Sequence, residues 1–268
     1  IISVTIGATS LDVKKCYNKG MISSSATIGT FFAGGVVAYL LGPATISECY
    51  NQGEVKATAA GGESKIGGIA GQAENVTIEK SYNQNKVSFS ASKQPRMGGI
   101  VGNITKNVKI SDCHNQNGGI IECLQVGGTA CVGGLAGRIG GTEKLSQNVI
   151  IEDSSNSSAI TVKSTGNSLL VGGIVAVIEN GNATDTQNSI ERCFNNGGIT
   201  ASSTSTGSNQ YVRAGGIVGQ CSDITNTVIS DCENKEGGVV AITGTTTPSG
   251  THAAGIVGYT RVCVGLSN

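Results

Sequence analysis

Tryptophan is absent from this 268-residue chain, which has only three prolines, two methionines and two histidines, and 13% of its residues are charged. No run of about 18 apolar residues occurs, so the sequence holds no candidate membrane-spanning helix. No charged start followed by an apolar stretch resembles a signal peptide. Eighteen basic residues balance eighteen acidic ones, and without a net field to gather a polyanion, nucleic acid is not an expected partner. Zinc ligands cluster at short spacings such as CxxC, and none occurs. His114 and His252 stand without a GxSxG serine or a protease-like cysteine signature, so no catalytic set, no metal and no cofactor is expected.

Glycine is abundant, at 41 residues. A glycine-rich chain of low charge could be a disordered linker, but Val and Ile recur here at fixed places, which argues for a packed β protein. The recurring element is Cys49-Tyr50-Asn51-Gln52-Gly53-Glu54-Val55, followed twelve residues later by Gly67-Gly68-Ile69-Ala70-Gly71. Aligned on it, repeat units begin near Cys16, Cys49, Ser81, Cys113, Ser154, Cys193 and Cys232, at spacings of 33, 32, 32, 41, 39 and 39 residues. Asparagine stands two residues later in every copy: Asn18, Asn51, Asn83, Asn115, Asn156, Asn195 and Asn234. Seven units at this period mean a solenoid.

Each unit carries three short β signals. The first column is Val13, Ile46, Ile78, Ile110, Ile151, Ile190, Ile229; the second is Ile22, Val55, Val87, Ile120, Ile160, Ile199, Val239. The third lies in the diglycine segment, at Val36, Ile69, Ile100, Leu135, Ile174, Ile217 and Ile256. Strands this brief bury a face only if coils stack, at about 4.8 Å per coil. Parallel crossovers favour the right hand. The expected fold is therefore all-β, a right-handed parallel β-helix of about seven coils with three short strands each, forming a single domain over residues 1–268. The chain opens at Ile1 inside a strand pattern, as a mature product, or a fragment or module of a larger extracellular protein, would.

The asparagine column is expected to form a structural ladder of side-chain amides and to turn the chain through positive φ. The charged column just before the cysteines, Lys15, Glu48, Lys80, Asp112, Asp153, Arg192 and Asp231, is expected to be an exposed register ladder. Asp112 over Asp153 could alternatively be a carboxylate pair for calcium or acid/base work. Five cysteines share one column with Ser81 and Ser154, as small buried thiols would. Disulfides between adjacent coils are an alternative, and Cys123 with Cys131 is the expected loop staple.

Repeats of the form CYNxGxV and GGIxG, as in Gly68-Ile69-Ala70-Gly71, Gly99-Ile100-Val101-Gly102 and Gly134-Leu135-Ala136-Gly137, resemble the GLUG-type repeats of bacterial surface proteins, found in adhesin-like molecules and beside some immunoglobulin-cleaving peptidases. Copies depart at Ala176 and Ala254. The resemblance implies a secreted, non-catalytic solenoid at the cell surface.

Candidate functional features lie outside the core columns. Tyr17, Tyr50, Tyr82 and His114 are expected on the outer face, as a strip for sugar faces or as rings packing on one another. Sequons at Asn75, Asn103 and Asn182 mark corners where glycans could stand, and a fourth falls on Asn156 of the ladder. Polar segments over residues 140–148, 179–188, 203–211 and 243–251 are expected loops for a glycan or protein partner. The leading expectation is a non-catalytic extracellular scaffold presenting those loops. A self-assembling filament or matrix subunit, stacking end to end through strand edges left without caps, is the alternative. A polysaccharide-active enzyme is the second alternative.

Overall fold

The computed structural model describes residues 5–6, 11–26, 29–59, 62–90, 94–140, 148–166, 168–179, 187–204, 210–224, 227–244 and 250–263. Every strand pair is parallel and joins one coil to the next, so the chain is a β-solenoid, with no helix among the described residues. Among the described residues four sheets run along the stack: sheet I with 13 strands and sheets II, III and IV with seven each. One coil shows the plan. Val101–Ile104 and Val108–Ser111 lie in sheet I, His114–Asn115 in sheet II, Ile121–Val126 in sheet III and Ala130–Gly133 in sheet IV.

A coil thus has more strands than the three expected. The first expected column is a strand of sheet I, buried from Val13 to Ile229. The third is no strand: Ile69, Ile100, Leu135, Ile174 and Ile217 sit in the bend between sheets IV and I and point into the core. The second column belongs to sheet III, but Ile120 and Val239 are exposed, and their neighbours Ile121 and Val240 pair with Val87 and Ile199. Those two coils carry two extra residues between the asparagine and sheet III, and a one-residue slip in a strand turns the side chain to the opposite face.

The inward side chains form two apolar cores. Sheet I, the bend isoleucines and the cysteine column enclose one; sheets III and IV enclose the other. Between them stands the asparagine ladder. Nδ2 of Asn18 donates to Oδ1 of Asn51 at 2.9 Å, and the relay continues through Asn83, Asn115, Asn156 and Asn195 to Asn234 at 2.8–2.9 Å per step. The other Nδ2 proton of each goes to a carbonyl in the following turn, such as Gly53 for Asn51 and Gly119 for Asn115. The second glycine of each pair lies against this ladder. A Cβ on Gly68, Gly99, Gly134 or Gly173 would sit 2.4–2.6 Å from Cγ of the next coil's asparagine.

The asparagines themselves lie in sheet II, so the positive-φ turn expected of them is elsewhere. It falls on the charged column: Lys15, Glu48, Lys80, Asp112, Asp153, Arg192 and Asp231 all have φ between 48° and 54°. That region is strained for residues with a Cβ, and none of the seven is β-branched. The next residue holds the turn in place. Cys49 Nα–H donates to Ser81 Oγ at 3.1 Å, Cys113 Nα–H to Ser154 Oγ at 3.0 Å and Cys16 Nα–H to Cys49 Sγ at 3.4 Å, while each Sγ or Oγ donates to the carbonyl two residues back. Serine and cysteine are interchangeable in this column because both accept and donate there.

Two outcomes follow. Asn115→Ala removes the acceptor of Asn83 and the donor to Asn156 in a buried site, and should lower unfolding stability by roughly 2–4 kcal/mol in a urea titration. At exposed Lys80, Lys80→Val should cost about 1–2 kcal/mol in the same titration, whereas Lys80→Gly should be neutral or slightly stabilising. Equal effects of Val and Gly there would refute the backbone strain.

Candidate functional site

The expected ring strip does lie on the outer face of sheet II. Tyr17 is exposed, and Tyr50, Tyr82 and His114 are half-buried. The rings pack on one another: Tyr17 and Tyr50 have centroids 4.9 Å apart at 5°, and Tyr50 and Tyr82 5.1 Å apart at 3°. His114 is held on both ring nitrogens, Nδ1 2.9 Å from Ser155 Oγ and Nε2 3.0 Å from Asp112 Oδ1. Stacked this way, the strip offers ring edges and hydroxyls to a partner, because the flat faces cover each other. A second amide relay flanks it, with Gln52 Nε2 donating to Gln84 Oε1 at 2.8 Å and Gln84 to Gln116 at 2.6 Å.

The other expected sites separate. Asn103 is fully buried, its Oδ1 accepting from Arg96 at 3.2 Å, so this packing leaves no room for a glycan there. Asn156 is buried in the ladder. Asn75 is half-buried at a corner with φ of 56° and accepts from Asn107 Nδ2 at 2.8 Å. Asn182 lies outside the described residues, as does most of each of the four expected partner loops. Asp153 is bound by Arg192, whose Nε and Nη2 lie 2.7 and 2.9 Å from its carboxylate oxygens, and Asp112 faces His114. Among the described residues no group of three or more His, Cys, Asp or Glu converges on a cation position.

Cys123 and Cys131 are free thiols. Cys123 points into the core of sheets III and IV, whereas Cys131 lies on the other side of sheet IV with Leu170 and Val177, so the staple expected of them does not form. Burial pushes the Cys131 thiol up to about 12 and that of Cys123 higher still. Cys49, Cys113 and Cys193 are buried thiols, while Cys16 is exposed; Cys221 is disulfide-bonded.

The outer sides of sheets IV and I face each other across a narrow cleft that runs along the stack. Its walls are residues seven apart around each diglycine. Phe32 meets Tyr39 with ring centroids at 4.7 Å, Lys65 Nζ donates to Gln72 Oε1 at 2.6 Å, Arg96 donates to Asn103, and Arg213 donates to Gln220. His252 and Tyr259 end the series at 5.3 Å. Its floor is glycine in most coils, where a Cβ on Gly71, Gly102 or Gly137 would come within 2.9 Å of the backbone of sheet IV in the previous coil, while Ala38 and Ala176 take the same place in two others. Three cations, Lys65, Arg96 and Arg138, stand in consecutive coils. Glu63 bridges to Arg96 and Glu179 to Arg138 from the rim. This cleft lies apart from the sites expected from the sequence, although its pairing can be read at F-A-G-G-V-V-A-Y, K-I-G-G-I-A-G-Q and L-V-G-G-I-V-A-V, where the flanking residues match in polarity.

No family model matches the chain, and neither the curated proteins nor the solved structures compared with it contain a match.

Burial, and then the guanidinium of Arg96, hold Lys65 down to about 8 against 10.5 in the open chain. Between about pH 8 and 10.5 the unfolded chain keeps a proton that the folded chain has released, so this group destabilises the fold fully below pH 8 and less as pH rises through that window. Lys65→Met should therefore gain stability relative to wild type below pH 8, on the order of 2 kcal/mol, and lose that gain by pH 10.5. A difference between the two proteins that stays flat with pH would contradict the buried charge.

Proposed function

We propose that this chain is a non-catalytic structural or adhesive scaffold of the GLUG-repeat kind, located outside the cell or on its surface, whose lateral faces meet a glycan or protein partner. One observation carries this reading. Each recurrent column is committed to stacking: asparagine to the amide relay, Cys or Ser to the turn, glycine to close approach, and isoleucine or valine to the cores. What varies from coil to coil is the outer surface. A solenoid whose repeated residues serve only its own stack offers that surface for recognition.

Assembly into a filament or matrix is the second reading, and the direction of the relay favours it. Every rung donates from coil n to coil n+1, so another copy of this chain could extend the ladder only head to tail. The purified chain is expected to bind a restricted set of immobilised extracellular glycans or proteins, as short rods in negative stain, and to release no products from acidic or neutral polysaccharides. Product release would overturn the non-catalytic reading. Filaments of constant width without lateral binding would establish the assembly reading in its place.

A further inference from the structure

A hollow of about 390 Å³ opens on the outer face of sheet III, lined by Ser90, Leu124, Lys163, Ser164, Thr165, Ser202 and Thr204. Its size lies within the range of small-ligand pockets. It forms where the sheet is irregular. From Cys123 to Val126 the fourth coil spends three residue steps against the two from Val162 to Ser164, a β-bulge in an otherwise even ladder. The neighbouring pairings on either side, Val87 to Ser90 with Ile121 to Leu124 and Ile160 to Ser164 with Ile199 to Ser203, run without a shift. A bulge re-aims side chains and breaks the flatness of a sheet, and here it accompanies the hollow.

The lining combines three chemistries. Hydroxyls come from Ser90, Ser202, Thr165 and Thr204; Ser164 donates to the Val126 carbonyl at 2.9 Å, which fixes the floor. Leu124 supplies an apolar wall. Lys163 is exposed and has no carboxylate partner among the described residues; Glu122, which pairs with Thr161 on the same face, is bridged to Lys86. An uncompensated ammonium among hydroxyls, beside one aliphatic surface, matches a sugar ring that carries a carboxylate. The hydroxyls exchange hydrogen bonds with the ring's own, the aliphatic wall covers its C–H face, and the ammonium meets the charge.

We propose that this hollow binds an acidic sugar, a uronic or sialic acid residue, with its carboxylate on Lys163 and its ring against Leu124. The proposal rests on the reading of the chain as a glycan-binding scaffold and names the class of glycan and the place. Titration of the full chain by calorimetry or ligand-observed NMR tests it, with glucuronic acid and N-acetylneuraminic acid against neutral glucose and N-acetylglucosamine. The acidic sugars should bind and the neutral ones should not. Lys163→Gln should weaken binding about tenfold or more, Lys163→Arg should retain most of it, and Leu124→Asp should abolish it. Lys163 is exposed and Leu124 half-buried on the outer face, and circular dichroism should show the same strand content in each variant. Equal binding of neutral and acidic sugars, or acidic-sugar binding indifferent to Lys163→Gln, would overturn the site and leave the scaffold reading intact. Failure of every sugar here, while an immobilised glycan binds the chain elsewhere, would do the same. Failure of all glycans in both formats would remove the glycan reading as well.

Discussion

A single amide relay governs how this chain folds. Seven asparagines stand in the narrow waist between two apolar cores, each donating to the next coil and to its own following turn. A buried primary amide has two donors and an acceptor to satisfy, and an unmade bond there costs about 1–3 kcal/mol. The stack meets that demand by repetition: the partner of each asparagine is another asparagine at the same place in the next coil. Register is fixed as a consequence, because shifting one coil by a residue would turn its asparagine to the opposite face and leave the amides above and below it without their partner.

The waist sets the rest of the cross-section. For the amide column to reach the opposite wall, that wall must approach without side chains, and the second glycine of each pair allows it. Drawing the wall inward divides the interior into two cores. It also folds sheets IV and I toward one another on the outside, which makes the cleft. Lysine and arginine on that cleft are consequently held among neighbours rather than in water, and the amides and carboxylates of the cleft partner them. The outer face of sheet III is free of this constraint, and the one break in its regularity among the described residues coincides with the hollow around Lys163.

Strain is placed where water can accommodate the side chain. The tight turn into the cysteine column needs a left-handed residue in every coil, yet glycine is absent from it. Charged side chains extend into solvent from that position, and opposite charges in neighbouring coils, such as Lys15 with Glu48 and Arg192 with Asp153, meet alongside. Exposed pairs of this kind contribute little each. Their bearing is on register, while the hydrogen bonds of the Cys or Ser side chain hold the turn itself.

By itself the sequence determined that this is a stacked parallel solenoid, how many coils it has, and that the asparagine and cysteine columns serve the stack, because a residue repeated at a fixed period must face its own copies. It did not determine the corners. Ile69 and its counterparts have the β-branched character of a strand, but sit in a bend because the adjoining glycines let the chain reverse there. Ile120 and Ile121 are indistinguishable by composition, and only the length of the preceding turn decides which one enters the core. The positive φ fell on charged residues rather than on asparagine because each asparagine is a strand residue of sheet II, paired in register with the coils beside it and therefore extended. The cleft and the hollow, finally, are made by residues seven apart around a bend or a full coil apart across a sheet, and only the way the walls fold together decides that they meet.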